Sequence, residues 1–64
     1  MVKINGTDLP LAGTTLAAYL AQSGYDCKRV AAERNGDIVP KAQYEQTVLR
    51  DGDVLEIVSF VGGG

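Results

Sequence analysis

The sequence contains no histidine, no tryptophan and a single cysteine, Cys27, among its 64 residues. One thiol cannot form an intrachain disulfide, and without imidazoles a structural zinc site has too few soft ligands. Histidine is also the usual proton shuttle at neutral pH, and a chain this small encloses no substrate pocket of ordinary size. We therefore expect no metal site, no enzymatic active site, and a fold held by apolar packing alone.

Basic residues are few as well. Six Lys and Arg stand against eight Asp and Glu, and the formal net charge is -2. A chain with this charge balance lacks the basic surface that binds nucleic acid or an anionic membrane. No run of residues is apolar and long enough to span a bilayer, and Met1 leads directly into strand-like sequence rather than into a signal peptide. We therefore expect a cytosolic protein, monomeric when free, with no nucleic-acid or membrane partner.

Turn signals separate short runs of apolar residues along the chain. Asn5-Gly6 predicts a hairpin near the start, and Asn35-Gly36 predicts a second hairpin after a strand over 30–34. A third turn, Asp51-Gly52-Asp53, precedes the β-branched run over 54–60, which is the strongest strand signal in the sequence. These signals predict a sheet built from hairpins and one long final strand.

One short helix is predicted over 16–22, where Leu16 and Leu20 lie one turn apart on the same face, with Thr14 or Thr15 as its cap. Because so short a helix does not persist alone in water, this face must pack on a sheet.

The order of these elements predicts a single α+β domain with a β-grasp fold. In this fold a mixed sheet of about four to five strands packs on one α-helix. By fold-level analogy, the first and last strands are parallel neighbours in the middle of the sheet. Residues 47–49 are predicted as a further extended segment.

The sequence ends with an apolar strand followed by three glycines, Phe60-Val61-Gly62-Gly63-Gly64. Glycine has no Cβ and a free φ, so this end can thread a narrow channel and present its carboxylate inside another protein. The four residues from Val61 reach about 13–14 Å when extended. We predict a domain over 1–60 and a flexible tail over 61–64, with a flexible end without function as the alternative.

Three motifs identify a family: Asn35-Gly-Asp-Ile-Val-Pro40-Lys, Asp51-Gly-Asp53 and Val54-Leu-Glu-Ile-Val-Ser-Phe-Val-Gly-Gly-Gly64. With these motifs at this spacing, the whole chain resembles the ThiS family, the ubiquitin-like sulfur carriers of thiazole formation in thiamine biosynthesis. The resemblance implies that Gly64 is the modified residue, first as a glycyl adenylate and then as a 1-thioglycine thiocarboxylate. It also implies that Gly62 and Gly63 thread the tail into a partner.

The resemblance further implies the partners. A ThiF-type E1-like adenylyltransferase joins Gly64 to AMP with its own ATP and magnesium, so this chain binds no cofactor. A cysteine desulfurase or a persulfide protein donates the sulfur, and a ThiG-type thiazole synthase receives it. Three alternatives remain open: a sulfur carrier for molybdopterin synthesis, tRNA thiolation or cysteine synthesis; a ubiquitin-like modifier of target lysines; and an interaction domain with an inert tail.

Alternation along the last strand predicts which residues meet a partner. Leu55 and Ile57 should point toward the helix, whereas Val58 and Phe60 should lie on the open face. We predict that Val58, Phe60 and Val61 form a docking patch for the enzymes that receive the tail.

Three other reactive side chains are given no chemical role. Cys27 lies in a polar stretch outside the family motifs, and an unpaired thiol needs an activating environment that the sequence does not show. Asp51 and Asp53 are interpreted as turn residues and not as a metal pair.

Overall fold

The computed structural model describes residues 1–60. None of the helices in this range is long and apolar enough to cross a membrane. Residues 61–64 lie outside the described residues, so the predicted division into a domain and a tail stays a prediction. The elements in chain order are β1 (Val2–Ile4), β2 (Thr7–Leu9), α1 (Leu16–Gln22), β3 (Val30–Arg34), β4 (Asp37–Ile38) and β5 (Val54–Ser59), with 3-10 turns at Cys27–Arg29 and Lys41–Gln43.

The strands form one mixed sheet in the order β2-β1-β5-β3-β4. At its centre β1 and β5 run parallel, with Lys3 opposite Val54. The other neighbouring strands are antiparallel. The predicted α+β architecture of the β-grasp type, with its parallel first and last strands, is confirmed.

The helix begins and ends as its sequence predicts. Of the two candidate caps, Thr15 is the one used, and its hydroxyl accepts a hydrogen bond from the Ala18 N–H at 3.2 Å. Gly24 follows the helix with a φ of 79°, a left-handed conformation that costs glycine little. Leu16 and Leu20 are completely buried against the sheet. The core that they join consists of Val2, Ile4, Val30, Ala32, Val39, Tyr44, Leu49, Leu55 and Ile57.

The extended segment predicted over 47–49 does not become a strand of the sheet. It makes one isolated antiparallel bridge, between Val48 and Thr15, immediately ahead of α1. The Leu49 N–H donates to the Thr14 carbonyl at 2.8 Å, and its own carbonyl accepts from the Gly13 N–H at 2.8 Å. The segment therefore pairs with the loop that starts the helix, which buries Leu49 in the core.

Candidate functional site

The end of β5 is the point from which the predicted tail departs. The Phe60 N–H still donates to the Arg29 carbonyl at 2.7 Å, so pairing with the chain ahead of β3 continues to the last described residue. Val61, Gly62, Gly63 and Gly64 lie outside the described residues, and their roles stay predictions. The described site is therefore the strand that supports the tail and the surface around that strand.

Two turn asparagines fix the register of β5. Asn5 has a φ of 50° and its side-chain amide acts as a strand neighbour, because Oδ1 accepts from the Ile57 N–H at 2.8 Å and Nδ2 donates to the Ile57 carbonyl at 3.1 Å. On the other side, Asn35 has a φ of 52° and its Oδ1 accepts from the Val54 N–H at 2.9 Å. The sequence predicted both turns but not these contacts.

A buried carboxylate ties the start of β5 to the second hairpin. Asp53 is 8% exposed and accepts hydrogen bonds from the Arg34 Nε at 2.9 Å, the Arg50 N–H at 2.9 Å and the Asn35 Nδ2 at 3.1 Å. Burial alone raises the pKa of Asp53, but these hydrogen bonds and the Arg34 charge outweigh burial and hold the pKa below its ordinary value. The turn at Asp51-Gly52-Asp53 is present as predicted, and the network around Asp53 was missed.

The outward face of β5 carries accessible apolar side chains near its end. Val58 is 54% exposed and Phe60 is 61% exposed, whereas Leu55 and Ile57 are buried. The predicted assignment of the two faces is thereby confirmed. The docking role of Val58, Phe60 and Val61 stays a prediction.

Cys27 is exposed in the 3-10 turn that follows the helix. It borders a shallow hollow together with Lys41 and Tyr44. The Lys41 ammonium donates to the Lys28 carbonyl at 2.8 Å, so it is occupied by a backbone contact. Tyr44 is a buried core residue, and burial raises the pKa of its phenol.

Comparison with known proteins decides the family of this chain. The family model of ThiS matches residues 2–64, which includes the β-grasp domain and the glycine end. The chain belongs to the ThiS family. This ThiS-family chain is 41% identical over 66 residues to a sulfur carrier protein ThiS of Bacillus subtilis, and the alignment covers all of both chains.

A second relative is much longer. A thiazole synthase of Paramagnetospirillum magneticum is 50% identical to the ThiS-family chain over 62 residues, which is 95% of this chain. The chain spans only 19% of the length of that relative.

The crystal structure of a thiamine biosynthesis protein (ThiS) from Geobacter metallireducens has the same fold, with a TM-score of 0.74 and 27% identity. The match covers 98% of this chain and 97% of the Geobacter chain.

Proposed function

We propose that this ThiS-family protein carries sulfur for thiazole formation in thiamine biosynthesis, and that the carboxylate of Gly64 is the group that carries it. The observation that carries the proposal is the match of the ThiS family model up to residue 64. The Bacillus sulfur carrier supports it, because the two chains align over their entire lengths.

The chemistry begins with an unreactive group. A terminal carboxyl has a pKa of about 3.5, so it is ionised at neutral pH and is a poor acyl donor. On a ThiF-type E1-like enzyme, a Gly64 carboxylate oxygen attacks the α-phosphorus of ATP and pyrophosphate leaves. The product is a glycyl adenylate with AMP as a good leaving group. ATP and magnesium belong to that enzyme and are not bound by this chain.

Sulfur then replaces AMP. The terminal sulfur of a persulfide, held by a cysteine desulfurase or a persulfide protein, attacks the Gly64 carbonyl carbon and AMP departs. A second thiol attacks the resulting acyl disulfide at the donor's sulfur, which forms a new disulfide and releases the 1-thioglycine thiocarboxylate. No side chain of this protein takes part in these steps, so the protein is a co-substrate and not an enzyme.

A ThiG-type thiazole synthase is the proposed acceptor of the sulfur. This partner is supported by the Paramagnetospirillum thiazole synthase, which contains a segment similar to 95% of this chain. The exposed Val58 and Phe60, followed by Val61, dock the domain against the enzymes that receive the tail. Gly62 and Gly63 pass through the confined entrance, since neither carries a Cβ.

The intact mass of the protein, isolated from its producing cells, tests this proposal. A sulfur carrier shows a species in which one oxygen is replaced by sulfur, and that sulfur moves into the thiazole when thiazole synthase is added. Covalent conjugates to lysines would indicate a modifier instead. A thiocarboxylate that thiazole synthase does not consume would indicate another sulfur pathway, and an unchanged mass in an extract that makes thiazole would indicate an inert domain.

A further inference from the structure

The chain contains the dipeptide Asn-Gly twice, at Asn5-Gly6 and at Asn35-Gly36. This dipeptide is the one most prone to spontaneous deamidation, because glycine has no Cβ to shield its nitrogen from the asparagine side chain. Both asparagines are exposed and left-handed, with φ of 50° and 52°. The two dipeptides are therefore a matched pair, and the structure distinguishes them by the partners of their side-chain amides.

The Asn5 amide is held by a buried part of the central strand. Its Oδ1 and Nδ2 both bond to the backbone of Ile57, at 2.8 and 3.1 Å, and both hydrogen bonds are partly buried. Ile57 itself is only 6% exposed. The hairpin that contains Asn5 is paired at three register positions. Release of the Asn5 amide therefore disturbs a well-packed region of the sheet.

The Asn35 amide is held less firmly. Its Oδ1 accepts from the Val54 N–H at 2.9 Å in an exposed position, where water can take the place of the amide. Its Nδ2 donates to the Asp53 Oδ1 at 3.1 Å. The hairpin around Asn35 is paired at only two register positions, and β4 lies at the edge of the sheet. Such short edge pairings open at a lower free energy than central ones, so the Asn35 amide should leave its partners more often than the Asn5 amide.

We infer that Asn35 is a deamidation site of this protein, and that its modification weakens the attachment of β5 to the second hairpin. When the turn opens, the Gly36 nitrogen loses its proton and bonds to the Asn35 Cγ. The bond from Cγ to Nδ2 breaks, and Nδ2 takes up a proton and leaves as ammonia. Water then opens the resulting succinimide at either carbonyl, which gives aspartate or isoaspartate at position 35. This reaction is independent of the sulfur chemistry at Gly64.

The consequence of the reaction falls on Asp53. In the aspartate product, a carboxylate oxygen takes the place of the Nδ2 donor beside the Asp53 Oδ1. Asp53 is 8% exposed, and among residues 1–60 its ion-pair partner is Arg34 at 2.9 Å. Two carboxylates that share one guanidinium in a partly buried site repel each other. The isoaspartate product instead adds a methylene to the backbone of a two-residue turn. Either product therefore loosens the contact between the second hairpin and the start of β5.

Peptide mapping by mass spectrometry, after incubation of the folded protein at mildly alkaline pH, tests the site. Asn35 should lose its amide several times faster than Asn5, while the control amides of Gln43 and Gln46 persist. In urea-unfolded protein the two asparagines should react at similar rates, because the fold no longer distinguishes them. The inference is overturned if the Asn35 amide lasts as long as the glutamine amides, or if Asn5 in the folded protein reacts as fast as Asn35.

Two variants test the consequence. Asn35→Asp reproduces the aspartate product, and Asn35→Gly is the matched control, since it removes the Nδ2 donor without adding a charge and tolerates the positive φ. Asn35→Asp should unfold at a lower urea concentration than the parent and than Asn35→Gly, although it keeps the acceptor for the Val54 N–H. An Asn35→Asp protein with the urea midpoint of the parent would overturn the weakened attachment of β5. A midpoint equal to or above that of Asn35→Gly would overturn repulsion from Asp53 as its cause.

Discussion

The two faces of β5 have opposite environments. Leu55 and Ile57 are buried under the helix, whereas Val58 and Phe60 are exposed beside the point where the tail begins. One six-residue strand thus holds the core together and presents the surface next to the tail. The comparison teaches that substitutions one residue apart on β5 should have different consequences, with loss of folding on one face and loss of docking on the other.

The largest expected effect is on the buried face. Leu55→Ala should lower the free energy of unfolding by about 2–5 kcal/mol, because it removes a fully buried aliphatic side chain. A domain of this size has about 3–5 kcal/mol in total, so much of the variant should be unfolded at room temperature. Urea denaturation followed by circular dichroism measures this effect. A Leu55→Ala protein as stable as the parent would show that the inward face of β5 does not hold the core.

Substitution of Asp53 should cause the next largest loss of stability, and this loss should depend on pH. Because the folded pKa of Asp53 lies below its ordinary value of 3.8, the stabilisation is complete above pH 3.8 and is lost as the pH falls toward the folded pKa. At neutral pH, Asp53→Asn should cost about 1–3 kcal/mol through the weakened hydrogen bonds.

Denaturation curves at several pH values check this prediction. The difference between the parent and Asp53→Asn should shrink in acid, while the exposed control Asp37→Asn should show no such change. A constant difference from pH 7 to pH 3 would mean that ionisation of Asp53 does not stabilise the fold.

A smaller loss of stability is expected from substitution of Asn5, whose side chain pairs with β5. Asn5→Gly removes the two amide hydrogen bonds to Ile57 but tolerates the positive φ, so it should cost about 1–2 kcal/mol. Asn5→Ala loses the same bonds and also strains the backbone, so it should cost more. Thermal unfolding of the two variants separates the contribution of the amide hydrogen bonds from that of the backbone strain. If the Asn5→Gly variant and the parent have the same melting temperature, the Asn5 amide contributes nothing to holding β5 in position.

The smallest effect on stability is expected at Phe60. Phe60→Ala should change the free energy of unfolding by at most about 0.5 kcal/mol, because the ring is 61% exposed. Its affinity for the adenylating enzyme should nevertheless fall by more than about 1 kcal/mol if the ring is buried in the complex. Calorimetric titration gives the affinity, with the exposed Val48→Ala as the control. Equal binding by the parent and Phe60→Ala would remove Phe60 from the docking patch.

Local signals explain what could be predicted from the sequence. Asn-Gly turns, a threonine cap and the alternation along β5 each act over a few residues, so the hairpins, the helix and the two faces of β5 were predicted correctly. The hydrogen bonds between Asn5 and Ile57 join residues that are 52 positions apart in the sequence. The hydrogen bond from Asn35 to Asp53 joins residues that are 18 positions apart. Such contacts depend on the final register of the sheet, which no local pattern specifies.

The same limit applies to the extended segment and to the candidate site. Residues 47–49 have an extended pattern, but only the packed structure places them against Thr14 and Thr15 rather than in the sheet. The hydrogen bond from the Phe60 N–H to the Arg29 carbonyl likewise depends on the register of β5 against the chain ahead of β3. The role of Gly64, in contrast, came from the family motifs, and it stays a prediction because that residue lies outside the described range.

Removal of Gly64 tests the central claim most directly. The parent and a variant that ends at Gly63 would each be incubated with ATP, the cognate ThiF-type enzyme and a persulfide donor, and their intact masses compared. We expect the parent to exchange one oxygen for sulfur and the shortened protein to remain unloaded, with the same denaturation midpoint for both. Loading of the shortened protein as fast as the parent would contradict the claim that the Gly64 carboxylate carries the sulfur.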